Sequence, residues 1–259
     1  MTLTPDAVRL DGTVAIVTGA AVGIGRASAL ALAAFGADVG ICDRDEEKLA
    51  ICATDIEALG RRAVPGVLDV RDDDQVRPWV ARVAEECGHV DVVVNNAGGG
   101  FFAPFLDVNA KGQDALVREN FTSVTNFVRA AVPFIPAAGG AIVNITSIEA
   151  HRAAPGFAVY SAMKAAVANL TQTLALELGE RMIRVNCIAP DVIPTPGIGD
   201  VPVTTPLPRA GHVDDVAAAV VFLANPRLSG FVTGETLLVD GGNRAAGGWR
   251  RAPDGSFTT

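Results

Sequence analysis

Seven short, β-rich apolar runs punctuate the chain, and helical patterns fill the intervals between them. The runs are Thr13 to Thr18, Asp38 to Asp43, Ala63 to Leu68, Val90 to Asn95, Ala141 to Ser147, Ile183 to Ala189 and Glu235 to Val239. Strands that are apolar throughout, rather than alternating, belong to sheets covered on both faces. Crossover helices give that covering, so the pattern predicts an α/β fold with a doubly wound parallel sheet. Its crossovers should be right-handed, and ligands should bind beyond the carboxyl ends of the strands. With 259 residues, 49% of them apolar, the core is large. Neither a repeat nor a linker-like stretch interrupts the alternation before about residue 186, so a single domain spanning 1–259 is expected.

The first run ends in Thr18-Gly19-Ala20-Ala21-Val22-Gly23-Ile24-Gly25 and passes directly into an alanine-rich helical pattern. Glycines at this spacing let the backbone turn sharply and approach a pyrophosphate, whose charge the helix N-terminus favours. Turn punctuation alone would also give glycines; strand before and helix after favour a nucleotide site. Asp43 closes the second run, eighteen residues beyond Gly25. A carboxylate there accepts hydrogen bonds from ribose hydroxyls and repels a 2′-phosphate, which favours NAD over NADP. Arg44 follows it, either as a phosphate partner or as a solvated charge.

Tyr160, the only tyrosine, is followed four positions later by Lys164, one of three lysines, and preceded thirteen positions earlier by Ser147. Residues at i and i+4 share a helix face. A fixed ammonium there should lower the phenol pKa and make it a usable general acid or base, with Ser147 holding the reacting oxygen.

Together these residues resemble the short-chain dehydrogenase/reductase family, over nearly the whole chain from about Leu10 to Gly242. Asn95-Asn96-Ala97-Gly98 matches the family signature behind the adenosine half of the cofactor, and Asp69-Val70 its adenine contact. Asn120, in Glu119-Asn120-Phe121-Thr122-Ser123-Val124, aligns with the asparagine that holds a water leading to the lysine. The resemblance implies a Rossmann-type sheet of seven strands and a catalytic set of Asn120, Ser147, Tyr160 and Lys164. It implies cofactor contacts from Gly19, Val22, Gly23, Ile24, Gly25, Asp43, Arg44, Asp69, Val70, Asn96, Ala97 and Gly98, with Tyr160 and Lys164 reaching the nicotinamide ribose. Pro190, Ile193 and Thr195 align with positions around the carboxamide. Asp191 stands where the family usually has glycine, either stabilising an oxidised ring or pointing to solvent.

The implied reaction is reversible hydride transfer between a secondary alcohol or ketone and NAD. Substrate walls should come from 99–105, 148–152 and the loop of about 191–212, with His151 expected at the surface. Phe101, Phe102 and Phe105 are either an apolar pocket or packing anchors. A 3-oxoacyl thioester reductase using NADPH is the nearest alternative, since Thr233 to Leu237 and Val239 to Gly242 also resemble that group. A cofactor-sensing protein without turnover is the distant one. The net charge of −8 and pI of 4.9 exclude a broad basic nucleic-acid surface. No run of eighteen apolar residues and no leader-like segment in Met1 to Leu10 point to a cytoplasmic protein without a membrane anchor. Cys42, Cys52, Cys87 and Cys187 show no metal spacing and should be buried free thiols; no metal is expected. Helices at Gln113 to Pro133 and Phe157 to Gly179, apolar on more than one face, and the family resemblance imply a homotetramer. The tail 243–259, carrying Trp249 and Phe257, should order against another subunit.

Overall fold

The computed structural model describes residues 3–191, 193–196, 203, 205–252 and 256–258. Within the expected substrate loop, 192, 197–202 and 204 therefore lie outside the described residues. Among the described residues, seven parallel strands form one sheet in the order β3-β2-β1-β4-β5-β6-β7. They are β1 Val14–Thr18, β2 Asp38–Asp43, β3 Ala63–Val67, β4 Val92–Asn95, β5 Gly140–Ile145, β6 Ile183–Pro190 and β7 Thr236–Val239. The seven runs read from the sequence coincide with these strands to within two residues.

Within β1 successive side chains point to opposite faces and so split between two cores. Ala15 and Val17 pack with α1 (Gly23–Ala34), α2 (Glu46–Ala58) and α7 (Val213–Ala224). Val14 and Ile16 pack with α3 (Asp73–Cys87), α5 (Ser123–Ala131) and α6 (Ala158–Glu177). On that second face Phe127 is fully buried, its ring edge-to-face with Trp79 at 6.0 Å. Each such buried ring or aliphatic side chain stabilises the fold by about 2 kcal/mol.

The strand order reverses between β1 and β4. That switch point opens a crevice at the carboxyl ends, and the chain places Gly19, Asp43, Asn96, Ser147 and Asp191 at or just past those ends.

The helix expected from Gln113 is longer and interrupted. It begins as α4 (Ala110–Val117), capped by the Asn109 side chain on the Gly112 amide at 2.9 Å, and continues as a π-helical turn, Arg118–Thr122, into α5. Asn120 explains the bulge. Its amide donates to the Leu116 carbonyl at 3.0 Å and to Gly99 O at 2.8 Å, so the side chain takes over part of the ladder. A short helix, α8 (Pro226–Ser229), precedes β7, and another, α9 (Asn243–Ala246), follows it. The tail ends in a small antiparallel pair, β8 (Arg250–Arg251) with β9 (Phe257–Thr258). All four cysteines are free. Cys42, Cys52 and Cys187 are buried as expected, whereas Cys87, last in α3, is half-buried.

Candidate active site

The glycine loop is shaped by close approach. Gly19 (φ +66°) lies against Ala97 and Asn96, and a β-carbon on it would stand 3.0 Å from each. Gly25 abuts the Gly19 carbonyl so tightly that no side chain fits between helix and strand. The first turn of α1 has no side-chain cap, since Val22 occupies the cap position. By contrast α2, α3 and α7 start on side-chain caps from Asp45, Asp72 and His212. An uncapped N-terminus behind a glycine cradle leaves amides aimed at an anion, and these residues fit a dinucleotide pyrophosphate.

Thr18 holds the two halves of that cradle together. Its hydroxyl accepts from the amides of Asn96 (3.0 Å) and Ala97 (2.9 Å), and the Asn96 side chain donates back to Thr18 O (2.9 Å) and Gly19 O (3.1 Å). Sequence reasoning gave Thr18 no role. The polar residue closing a buried apolar strand is the signal that would have found it.

Asp43 faces the loop as expected. Its Oδ2 accepts from the Ala21 amide at 3.1 Å, and Oδ1 from the amides of Arg44 and Asp45 at 2.7 and 3.1 Å. Arg44 points outward, its side chain 61% exposed and 3.8 Å from Glu119. The Asp69 carboxylate is already forked by Arg71, with Nε at 2.9 and 3.0 Å, which holds its pKa down to about 2. Any contact it makes with a ligand is shared with that arginine. Val70 is half-buried beside it.

Four side chains from three elements converge at the other end of the crevice. Tyr160 and Lys164 are one turn apart on α6, Ser147 follows β5, and Asn120 comes from the π turn. Lys164 is 5% exposed; its Nζ donates to Ile145 O at 3.0 Å and lies 5.6 Å from the centre of the Tyr160 ring. Ser147 is buried and accepts from the Glu149 amide at 3.2 Å. Asn120 is fully buried and receives the Gly99 amide at 3.2 Å. Gly98 marks the gap between them: a β-carbon there would fall 2.8 Å from Asn120 Oδ1 and 2.9 Å from Lys164 Nζ.

The electrostatics differ from the sequence expectation. Burial raises the Tyr160 pKa above its ordinary 10, and Glu149 adds to the rise while the Ser147 side chain opposes it. Burial likewise lowers Lys164 to about 8. The ammonium sits over the ring face with a carbonyl as partner, and desolvation is the largest influence on both groups. Tyr160 therefore keeps its proton at neutral pH.

The family model described as enoyl-(acyl carrier protein) reductase matches residues 19–244. A 3-oxoacyl-[acyl-carrier-protein] reductase of Thermotoga maritima is 38% identical over 243 residues, covering 90% of this chain and 98% of the relative. The chain belongs to the short-chain dehydrogenase/reductase family.

As a member of that family it is an oxidoreductase acting on CH–OH or carbonyl groups. A solved 7 alpha-hydroxysteroid dehydrogenase, complexed with NADH and 7-oxo glycochenodeoxycholic acid, superposes with a TM-score of 0.88. It is 32% identical and covers 93% of this chain and 98% of its own. A short chain dehydrogenase from Burkholderia cenocepacia in complex with NADP gives a TM-score of 0.86 at 36% identity, covering 91% and 99%.

The substrate side of this short-chain dehydrogenase/reductase departs from expectation in several places. Asp191 does not point to solvent: its side chain is 11% exposed and accepts from Asn243 Nδ2 at 2.5 Å. His151 is half-buried rather than on the surface, with burial and the nearby Arg244 lowering its pKa below 6.5. Phe102 stacks edge-to-face on Phe157 at 5.7 Å, and Phe157 on Tyr160 at 6.2 Å, so an aromatic row runs to the phenol. Phe101 and Phe105 are largely exposed, 46% and 60%. Pro190 ends β6, Ile193 is buried in the core, and Thr195 lies over the loop, 3.3 Å from where a Gly23 β-carbon would be. Val22 is exposed and Ile24 half-buried at the start of α1.

Proposed function

We propose that this oxidoreductase interconverts a secondary alcohol and a ketone, with NAD(H) as cofactor and Tyr160 as the proton donor and acceptor. The convergence of Asn120 and Lys164 about Gly98, with Tyr160 one turn before Lys164 on α6 and Ser147 at the carboxyl end of β5, carries the reading. A nicotinamide held at the crevice supplies or accepts the hydride when bound. Ser147 and Tyr160 bind the carbonyl oxygen, and the neutral phenol protonates the developing alkoxide. Lys164 orients the phenol from below, and Asn120 holds the polar gap beside Gly98 through which the proton is replaced. When bound, the cofactor would have its pyrophosphate held by Gly19, Gly23 and Gly25, its adenine by Asp69 and Val70, and its carboxamide by Pro190, Ile193 and Thr195. In alcohol oxidation the steps run backward.

Asp43 supports NAD over NADP. Its carboxylate is fixed by the loop amide at the end of β2, where it would accept from a ribose 2′-hydroxyl and repel a 2′-phosphate. The Thermotoga maritima relative favours the second reading, a 3-oxoacyl thioester reductase using NADPH. One assay separates them. Alcohols, ketones and a 3-oxoacyl thioester are followed by nicotinamide absorbance with NAD, NADH, NADP and NADPH. The proposal expects faster turnover with NAD(H) on simple alcohols and ketones; preference for NADPH and the thioester would replace it.

The same reading takes residues 1–259 as one domain, a cytoplasmic homotetramer. Among the described residues no helix is long and apolar enough to cross a membrane. Leu176 on α6 is 84% exposed and Phe231 fully so, apolar surface that subunit contacts would cover. Sedimentation showing a monomer would count against the assembly.

A further inference from the structure

Three segments distant in sequence meet beside Ser147. Glu149 and Arg152 come from the turn after it, Asp191 from the end of β6, and Asn243 from the start of α9. Arg152 Nη2 lies 2.7 Å from Glu149 Oε1 and 3.7 Å from Asp191 Oδ1, while Asn243 Nδ2 fixes the other Asp191 oxygen at 2.5 Å. Arg152 Nε also reaches Glu149 Oε2, at 3.4 Å. The guanidinium thus spends its planar fork on a carboxylate of its own chain and faces a second one.

Arginine in a cleft is the usual receptor for a substrate carboxylate, because the fork matches it bidentately. Here that capacity is screened. Glu149 is three residues away on the same turn, so its effective concentration exceeds that of any free ligand. Asp191 adds repulsion where the family usually has a glycine. Among the described residues the remaining ionisable groups do not reverse the sign: Asp240 and Arg244 cancel, and His151 is held toward its neutral form. Beyond Asp191 a cavity of about 370 Å³ is bordered by Asp240 and by Arg209, itself paired with Asp215 at 2.7 Å. Among the described residues, Glu149, Asp191 and Asp240 against Arg152 and Arg244 leave the mouth one charge negative.

We propose that Glu149 and Asp191 mask Arg152 so that the cleft selects uncharged substrates and rejects carboxylate-bearing ones. This rests on the reading of the cleft as an alcohol and ketone site, and it makes Glu149 and Asp191 specificity-determining residues. The acids act as a gate over a latent anion receptor. Unmasking the arginine should convert the preference.

The test is a matched pair, cyclohexanone and 4-oxocyclohexanecarboxylate, assayed for kcat/KM in the wild type, Glu149→Gln, Asp191→Asn and Glu149→Gln with Arg152→Gln. Binding of the carboxylate to each enzyme with NADH present is measured in parallel by calorimetry. The carboxylate-to-ketone ratio should be at least about tenfold below one in the wild type and rise about tenfold in Glu149→Gln, since 1.4 kcal/mol is tenfold. Asp191→Asn should raise it less, as its oxygen is beyond hydrogen-bond reach of the arginine. The double variant should lose the gain. A ratio unchanged in both single variants, or a wild type that favours the carboxylate, overturns the proposal. Tighter carboxylate binding in Glu149→Gln with no turnover of either ketone by any variant would uphold the gate and overturn the reaction assigned to the cleft.

Discussion

The cofactor half and the substrate half of the crevice are built by different means. Around β1 and β4 recognition rests on backbone: glycines at fixed spacing, an uncapped helix start, and the Thr18 and Asn96 bonds that lock one loop to the other. Around Ser147 and Asp191 it rests on side chains, with an ion clamp drawn from three segments and an aromatic row leading to Tyr160. Backbone recognition confines residue types locally and leaves a visible pattern. Side-chain recognition assembled across the chain leaves almost none, and it can change without disturbing the fold.

On cofactor affinity the largest expected effects lie in the backbone half. Gly25→Val would drive a side chain into the Gly19 carbonyl, and NADH affinity should fall more than about 100-fold by fluorescence titration, whatever happens to the substrate side. Near-normal NADH binding would break the contrast. Gly98→Ala sits where the two halves meet. Its methyl would crowd Asn120 and Lys164, so kcat should drop by about 10- to 100-fold with a smaller change in cofactor affinity. Asp43→Ala should narrow the preference for NAD over NADP by about tenfold, and an unchanged ratio would show that another group reads the ribose.

How much the sequence disclosed follows the same division. The sheet, its strand limits and the glycine cradle were legible because two-sided burial and close approach each impose residue types locally. The α4 to α5 interruption was not, since one asparagine bonding two carbonyls looks like any other helix asparagine. Nor was the ionisation of Tyr160 and Lys164. Spacing gives proximity, whereas the balance of burial against charge depends on walls supplied by distant strands. Arg71 on Asp69 and Asn243 on Asp191 were missed for the same reason, as pairing partners depend on side-chain direction. Trp249, expected to find a cover, is 54% exposed within its own chain. Removing 247–259 should therefore leave NADH affinity unchanged and alter assembly or KM only if a neighbouring subunit receives the tail.

A smaller effect sharpens the electrostatic side of the comparison. Lys164 has a folded pKa near 8 against an ordinary 10.5, so between those values the unfolded chain binds more protons and stability rises with pH. Lys164→Met removes this penalty. It should raise stability at pH 7 by about 2 kcal/mol while abolishing turnover, and the gain should shrink toward pH 10.5. Equal melting temperatures at pH 7 would contradict the burial balance. The raised Tyr160 pKa acts on rate. Oxidation needs the phenolate, so its kcat should still be climbing at pH 9, while reduction by the neutral phenol stays level to that point.

The role of Tyr160 is tested most directly by Tyr160→Phe, with kcat for ketone reduction and NADH affinity measured on the same preparation. Loss of the hydroxyl removes the transferable proton and little contact area, so kcat should fall by about 1,000-fold while the NADH dissociation constant stays within about twofold. Turnover within tenfold of the wild type would contradict the assignment of Tyr160 as the acid and base of this site.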